Sequence, residues 1–179
     1  MALAVAVYSN SERIDLAGTE IRTGNLRTSR KSCVRGSMPN VLVDSGPLAA
    51  LFNRRDHHHQ RSLDYFRRNG DELKCHTTWE VVSEVMYLLD FSAEAQASFL
   101  DWIFDGSEQG LMKVASLAPE DLPGLAQLIR KYSDRPMDMA DASLVWLANK
   151  TGITDIITVD RADFSVYRTN RRKAFRNVF

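Results

Sequence analysis

Apolar positions along this chain fall into short runs that switch between two periods. Val41-Leu42-Val43 is an uninterrupted apolar run, as expected of a strand covered on both faces in a parallel sheet, and it ends at Asp44. Ser45-Gly46-Pro47 then reads as a turn, and Leu48 to Phe52 as a short helix. A helical period follows between Asn53 and Asn69, closed by Gly70, and Leu73 to Thr77 reads as a second strand. Thr77 followed three residues later by Glu80 has the form of a capping box, opening a helix from Glu80 to Leu89 with Val81, Val82, Val85, Leu88 and Leu89 on one wide face. Ser92 caps a further helix through Phe104, Gly110 to Leu117 supplies a third strand, and Pro119 to Tyr132 another helix. From Pro136 to Phe164 comes a helix carrying Leu144, Val145, Leu147 and Ala148, then the strand Ile156-Ile157-Thr158-Val159, ending at Asp160; Phe164 to Tyr167 is read as an extension of the sheet edge. Strands alternating with helices imply an α/β fold built on a parallel sheet.

Before Met38 no period is sustained beyond the run Leu3 to Val7. The segment is rich in Ser, Thr, Arg and Gly, so residues 1–37 are expected to form a flexible extension, with Met38 a candidate native start and 38–179 a single domain. The whole chain has 23 basic and 23 acidic residues; the extension holds six basic and three acidic, leaving 17 basic and 20 acidic from Met38 onward. That balance excludes a broadly basic surface for coating nucleic acid. No apolar run nears the ~18 residues of a membrane span and no secretory signal is evident, so a cytoplasmic protein is expected. Cys33 and Cys75 sit in unlike contexts and read as free thiols.

The chemistry lies in the acids. Asp44 and Asp160 close apolar strands, and the C-terminal ends of strands are where an α/β sheet opens its ligand crevice. Asp138 and Asp141 leave one face of a helix at its N-terminus. Capping accounts for Asp138 by itself, and Asp155 is read as capping the strand entry or facing solvent. Glu84 falls inside an apolar helix face, where an unpaired carboxylate is costly and calls for a cation. Like charges gathered this way raise one another's pKa unless a cation lies between them. Hard oxygen donors without Cys or a well-placed His select Mg²⁺ or Mn²⁺. The run His57-His58-His59 is not read as a metal site, because adjacent helical residues point apart. The basic end, with Arg168, Arg171, Arg172, Lys173 and Arg176, reads as a solvated loop or as a phosphate contact.

The segments VLVDSGPLAALFNRRDHHH, TTWEVVSEVMYLL, PMDMADASLVWLA and IITVDRADF, in this order, resemble the PIN-domain nucleases, and among them the VapC-type toxins of toxin–antitoxin pairs. The likeness covers Pro39 to Val166; residues 1–37 lie outside it. It implies a three-layer α/β/α sandwich with a mostly parallel central sheet, and a Mg²⁺- or Mn²⁺-dependent endoribonuclease selective for single-stranded RNA. By motif match Asp44, Glu84, Asp141 and Asp160 form the catalytic and metal-binding set. Asp44 and Asp141 are its principal ligands, Glu84 and Asp160 act through water or on the nucleophile, Thr158 bonds a ligand, and Asp138 and Asp163 support the set. The implied partners are an RNA substrate, a cognate antitoxin protein and a second copy in a homodimer, with no membrane; the apolar Phe99–Phe104 region is a candidate for such contacts.

Three other readings fit less well. A haloacid-dehalogenase-like phosphatase needs a second Asp where Gly46 stands, and a receiver domain needs paired early acids and a late Lys-Pro. A non-catalytic PIN-like scaffold that binds RNA or a protein partner would be marked by loss of acids, and all four are present.

Overall fold

A five-stranded sheet in the order β3-β2-β1-β4-β5 organises the molecule, seen in a computed structural model that describes residues 38–135 and 137–179. The extension expected for residues 1–37, with Cys33, and Pro136 lie outside the described residues. In chain order the elements are β1 (Asn40–Val43), α1 (Ser45–Phe52), α2 (His59–Asn69), β2 (Lys74–Thr78), α3 (Trp79–Leu88), α4 (Ala93–Glu108), β3 (Met112–Ala115), a 3-10 turn at Pro119–Asp121, α5 (Leu122–Lys131), α6 (Met139–Thr151), β4 (Asp155–Ile157), α7 (Arg161–Val166) and β5 (Arg176–Asn177). Every ladder in the sheet is parallel.

The burial follows from the sequence pattern. Val41, Leu42, Val43, Ile156 and Ile157 are all buried, so β1 and β4 are covered on both faces, the condition for a parallel sheet between helical layers. This α/β/α arrangement is the expected fold class. α6 packs on β2, α3 and α5, while α1 packs on α2, α3 and α4. Two aromatic groups fill the layers. Phe52, Phe66, Phe99 and Trp102 meet edge to face at centroid distances of 5.6–6.1 Å. Tyr132, Phe164, Tyr167 and Phe175 do the same at 5.0–5.4 Å. Such contacts add about 0.5–1.5 kcal/mol per pair beyond area burial.

The topology fixes where a ligand crevice opens. From β1 the chain builds outward through β2 and β3, then returns to place β4 and β5 on the other side of β1. The reversal lies between β1 and β4, and the crevice outside their carboxyl ends is the switch point of an open α/β sheet. Val43 is in register with Ile157, so Asp44 and Thr158 come level there.

Two expectations are corrected. Phe164 to Tyr167 does not extend the sheet: Asp160 caps a short helix, α7, and the edge is formed by Arg176–Asn177. Asp160 holds the Asp163 amide at 3.1 Å, and this local cap outweighs the β-branched and aromatic content of the segment. Arg176 forms a two-pronged pair with Asp155, with Nε 2.8 Å from Oδ1, so Asp155 is engaged by the new edge strand. Thr78, not Thr77, caps α3 by accepting from Val81; Thr77 donates to the Val43 carbonyl at 2.9 Å instead, tying β2 to β1. The three histidines form a turn and helix start, with Asp56 accepting from the His58 amide at 2.7 Å and His59 Nδ1 2.7 Å from the Ala50 carbonyl oxygen.

Gly46 lets α1 approach the end of β4. A Cβ there would stand 2.4 Å from Val159 Cγ2, and a β-branched neighbour cannot swing away. Gly46→Ala is expected to lower stability by about 1–3 kcal/mol in thermal or urea unfolding, and Gly46→Ala/Val159→Ala to recover part of that loss. Equal stability of Gly46→Ala and the parent protein would disprove the close approach.

Candidate active site

Asp44 is the innermost acid. It is the N-cap of α1 in extended backbone conformation, and its amide continues the sheet ladder to the Ile157 carbonyl at 3.0 Å. Oδ1 accepts from the Ser45 amide and Oδ2 from Thr158 Oγ1, both at 2.7 Å. Only 6% of the residue is exposed, and Thr158 is fully buried. Burial pushes the Asp44 carboxyl up to about 6, against the two hydrogen bonds, with Asp138 and Asp160 adding repulsion.

Asp141 faces Asp44 from the first turn of α6. Its amide donates to Asp138 Oδ1 at 2.8 Å, so Asp138 is the cap and Asp141 the group it delivers. Burial, then repulsion from Asp44 and Asp138, lift the Asp141 carboxyl to about 8, while a hydrogen bond from Tyr167 opposes the rise. Glu84, half-buried on α3, is also raised, first by desolvation and then by Asp138 and Asp44; Ser45 hydrogen-bonds it and works the other way. One turn earlier, Glu80 does not cap: its Oε2 is enclosed without a hydrogen-bond partner.

Asp160 stands at the exposed rim. Its amide donates to Thr158 Oγ1 at 2.9 Å, so one hydroxyl links Asp160 to Asp44. Asp163, held by Asp160, repels Asp141 and pairs with Arg135 at 3.5 Å. Asp44, Glu84, Asp138, Asp141, Asp160 and Asp163 are therefore linked by mutual repulsion or hydrogen bonds around the β1–β4 crevice. Part of the basic end lies further along α6. The Asn170 amide, next to Arg171, bonds Asn149 at 2.7 Å, and Asn149 lies about 12 Å beyond Asp141 along α6.

No family model matches the chain. Its fold is that of Mycobacterium tuberculosis VapC20, a sarcin-ricin loop cleaving toxin, with a TM-score of 0.55 and 16% identity over 67% of this chain and 89% of that one. It is also similar to Ribonuclease VapC26 of Mycobacterium tuberculosis, at 25% identity over 128 residues, spanning 72% of this chain and 92% of that protein. In sequence and in fold the chain is thus similar to VapC-type ribonucleases.

The donors of this crevice are carboxylate and hydroxyl oxygens, which suit a hard divalent cation. Among the described residues no three His, Cys, Asp or Glu side chains close into a ready-made ligand cage. Mg²⁺ does not need one: it keeps several waters and is commonly held by one or two carboxylates together with substrate phosphate. The raised carboxyl values of Asp44 and Asp141 fit a pair awaiting positive charge. Sequence reading overlooked Tyr167 and Ser45. A tyrosine in a segment read as a strand edge carried no signal of its own, and Ser45 looked like a turn former.

Both Asp carboxyls hold protons to higher pH in the folded chain than in the unfolded one. The native state therefore binds more protons between about pH 4 and 8, and the metal-free fold loses stability as pH rises through that window. Metal-free protein should melt several degrees lower at pH 8 than at pH 5, with Mg²⁺ or Mn²⁺ raising the melting temperature more at pH 8. Asp141→Asn should remove much of the pH dependence. A flat profile in the native protein would contradict the electrostatic reading.

Proposed function

We propose that this chain is a Mg²⁺- or Mn²⁺-dependent endoribonuclease, the toxin of a type II toxin–antitoxin pair, in which Asp44 and Asp141 hold the metal while Glu84 and Asp160 act through water. The observation that carries this reading is the pairing of a buried carboxyl, Asp44, with a partly buried one, Asp141, that it repels at the switch point of the sheet, with Thr158 fixing the inner one. The similarity to Ribonuclease VapC26 and to the sarcin-ricin loop cleaving VapC20 supports RNA as the substrate. A bound divalent cation would supply Lewis acidity toward the phosphate and lower the pKa of a bound water.

The chain's own residues have distinct tasks. Thr158 and the Ser45 amide hold the two oxygens of Asp44 in place, so the carboxylate needs little reorganisation to bind. Glu84, raised by its half-buried position and bonded by Ser45, is suited to orient the attacking water and accept its proton. Attack of that water on phosphorus forms one P–O bond as the bond to the leaving oxygen breaks, and the leaving oxygen takes up a proton. Asp160 stands at the rim, where solvent and substrate enter.

An antitoxin protein and a second copy of the chain complete the proposal. An apolar groove of about 430 Å³ runs between Trp79, Leu100, Phe104 and edge strand β3, with Trp79 50% and Phe104 65% exposed, and such a surface suits protein contact. Among the described residues no helix is long and apolar enough to cross a membrane.

With purified protein, an RNA pool and Mg²⁺ or Mn²⁺, cleavage is expected, and EDTA should abolish it. Asp44→Asn and Asp141→Asn should each lower it by about 100-fold or more, in line with the loss of a transition-state electrostatic contact. RNA binding without cleavage by the folded native protein under every metal condition would favour the non-catalytic scaffold.

A further inference from the structure

Tyr167 directly follows α7, as its C-cap. The residue is fully buried, its ring meeting Tyr132 at 5.0 Å and Phe164 at 5.4 Å, both edge to face. Its hydroxyl donates to Asp141 Oδ2 at 3.1 Å. Two aromatic neighbours thus fix the ring, and the ring fixes one oxygen of the carboxylate, while the Asp138 cap fixes the backbone that carries it. A buried phenol could have been satisfied by any carbonyl; here it is spent on an acid of the crevice.

We propose that Tyr167 is a positioning residue for metal binding: by committing one oxygen of Asp141, it holds the carboxylate in a single orientation with the other oxygen available to a divalent cation. The inference rests on the metal-dependent reading above. It assigns to this chain a hydrogen-bonded support for Asp141 equivalent to the one Thr158 gives Asp44. Supports of this kind set ligand orientation and basicity, and their loss typically costs about 10–100-fold in metal affinity. The phenol itself stays protonated, since desolvation and the adjacent carboxylate push its ionisation further up.

The test is Mn²⁺ binding to the full chain without RNA, followed by calorimetry or electron paramagnetic resonance. Tyr167→Phe keeps the ring and its packing and removes only the hydroxyl. It is expected to weaken Mn²⁺ about 10-fold or more. Tyr132→Phe is the packing control: its hydroxyl accepts from the Arg168 amide at 3.0 Å, and its Mn²⁺ affinity should match the native protein's. Unchanged affinity in Tyr167→Phe, or an equal loss in both variants, would overturn the role of the Tyr167 hydroxyl and leave the metal reading intact. Native protein that binds no Mn²⁺ would overturn both. If Tyr167→Phe does not fold, the native Tyr167 ring resonances should shift on Mg²⁺ titration in step with binding, and resonances that stay fixed through saturation would overturn the proposal.

Discussion

Repulsion among carboxylates confined at one end of a parallel sheet is the constraint to which the rest of the structure answers. Asp44, Asp141 and Glu84 are withdrawn from water and face one another or Asp138 across the crevice between β1 and β4. Buried like charges destabilise a fold unless they are neutralised or compensated. The chain retains them and surrounds them with fixed hydrogen-bond donors: the Ser45 amide, the Thr158 hydroxyl and the Tyr167 hydroxyl. Each donor favours the charged form and so offsets part of that cost.

The architecture makes that confinement possible. Apolar coverage on both faces of β1 and β4 places their carboxyl ends side by side, and Gly46 allows α1 to begin directly against Val159. Capping carries the remaining acids inward. Asp138 starts α6 and so sets the direction of Asp141; Asp160 starts α7, and the chain beyond it brings Tyr167 back to Asp141. Capping and site building are thus the same interactions viewed at two scales, and the capping role read for Asp138 from sequence does not compete with a role in the site.

The fold was legible where period and burial agree. The apolar runs at Val41–Val43 and Ile156–Ile157 and the acids that follow them announced a parallel sheet with a crevice, and Glu84 stood out by breaking an apolar helix face. Legibility failed where a local side-chain bond overrides propensity. The segment Phe164–Tyr167 has strand-like composition, but the Asp160 cap makes most of it helical, and the two-residue edge strand at Arg176–Asn177 is too short to carry a period. Spatial relations were equally hidden. Nothing in the spacing of Tyr167 and Asp141 marks them as partners, and the basic run at Arg171–Lys173 reads as near the acids until the turn is seen against Asn149.

The central claim is that the crevice acids exist to bind a divalent cation. The most direct measurement is the anomalous difference map of a crystal of the full chain soaked in Mn²⁺. The account predicts a peak in the β1–β4 crevice bound by the carboxylates of Asp44 and Asp141, with water completing the coordination. A map with no peak at those two side chains, in crystals that leave the crevice open to solvent, would contradict it.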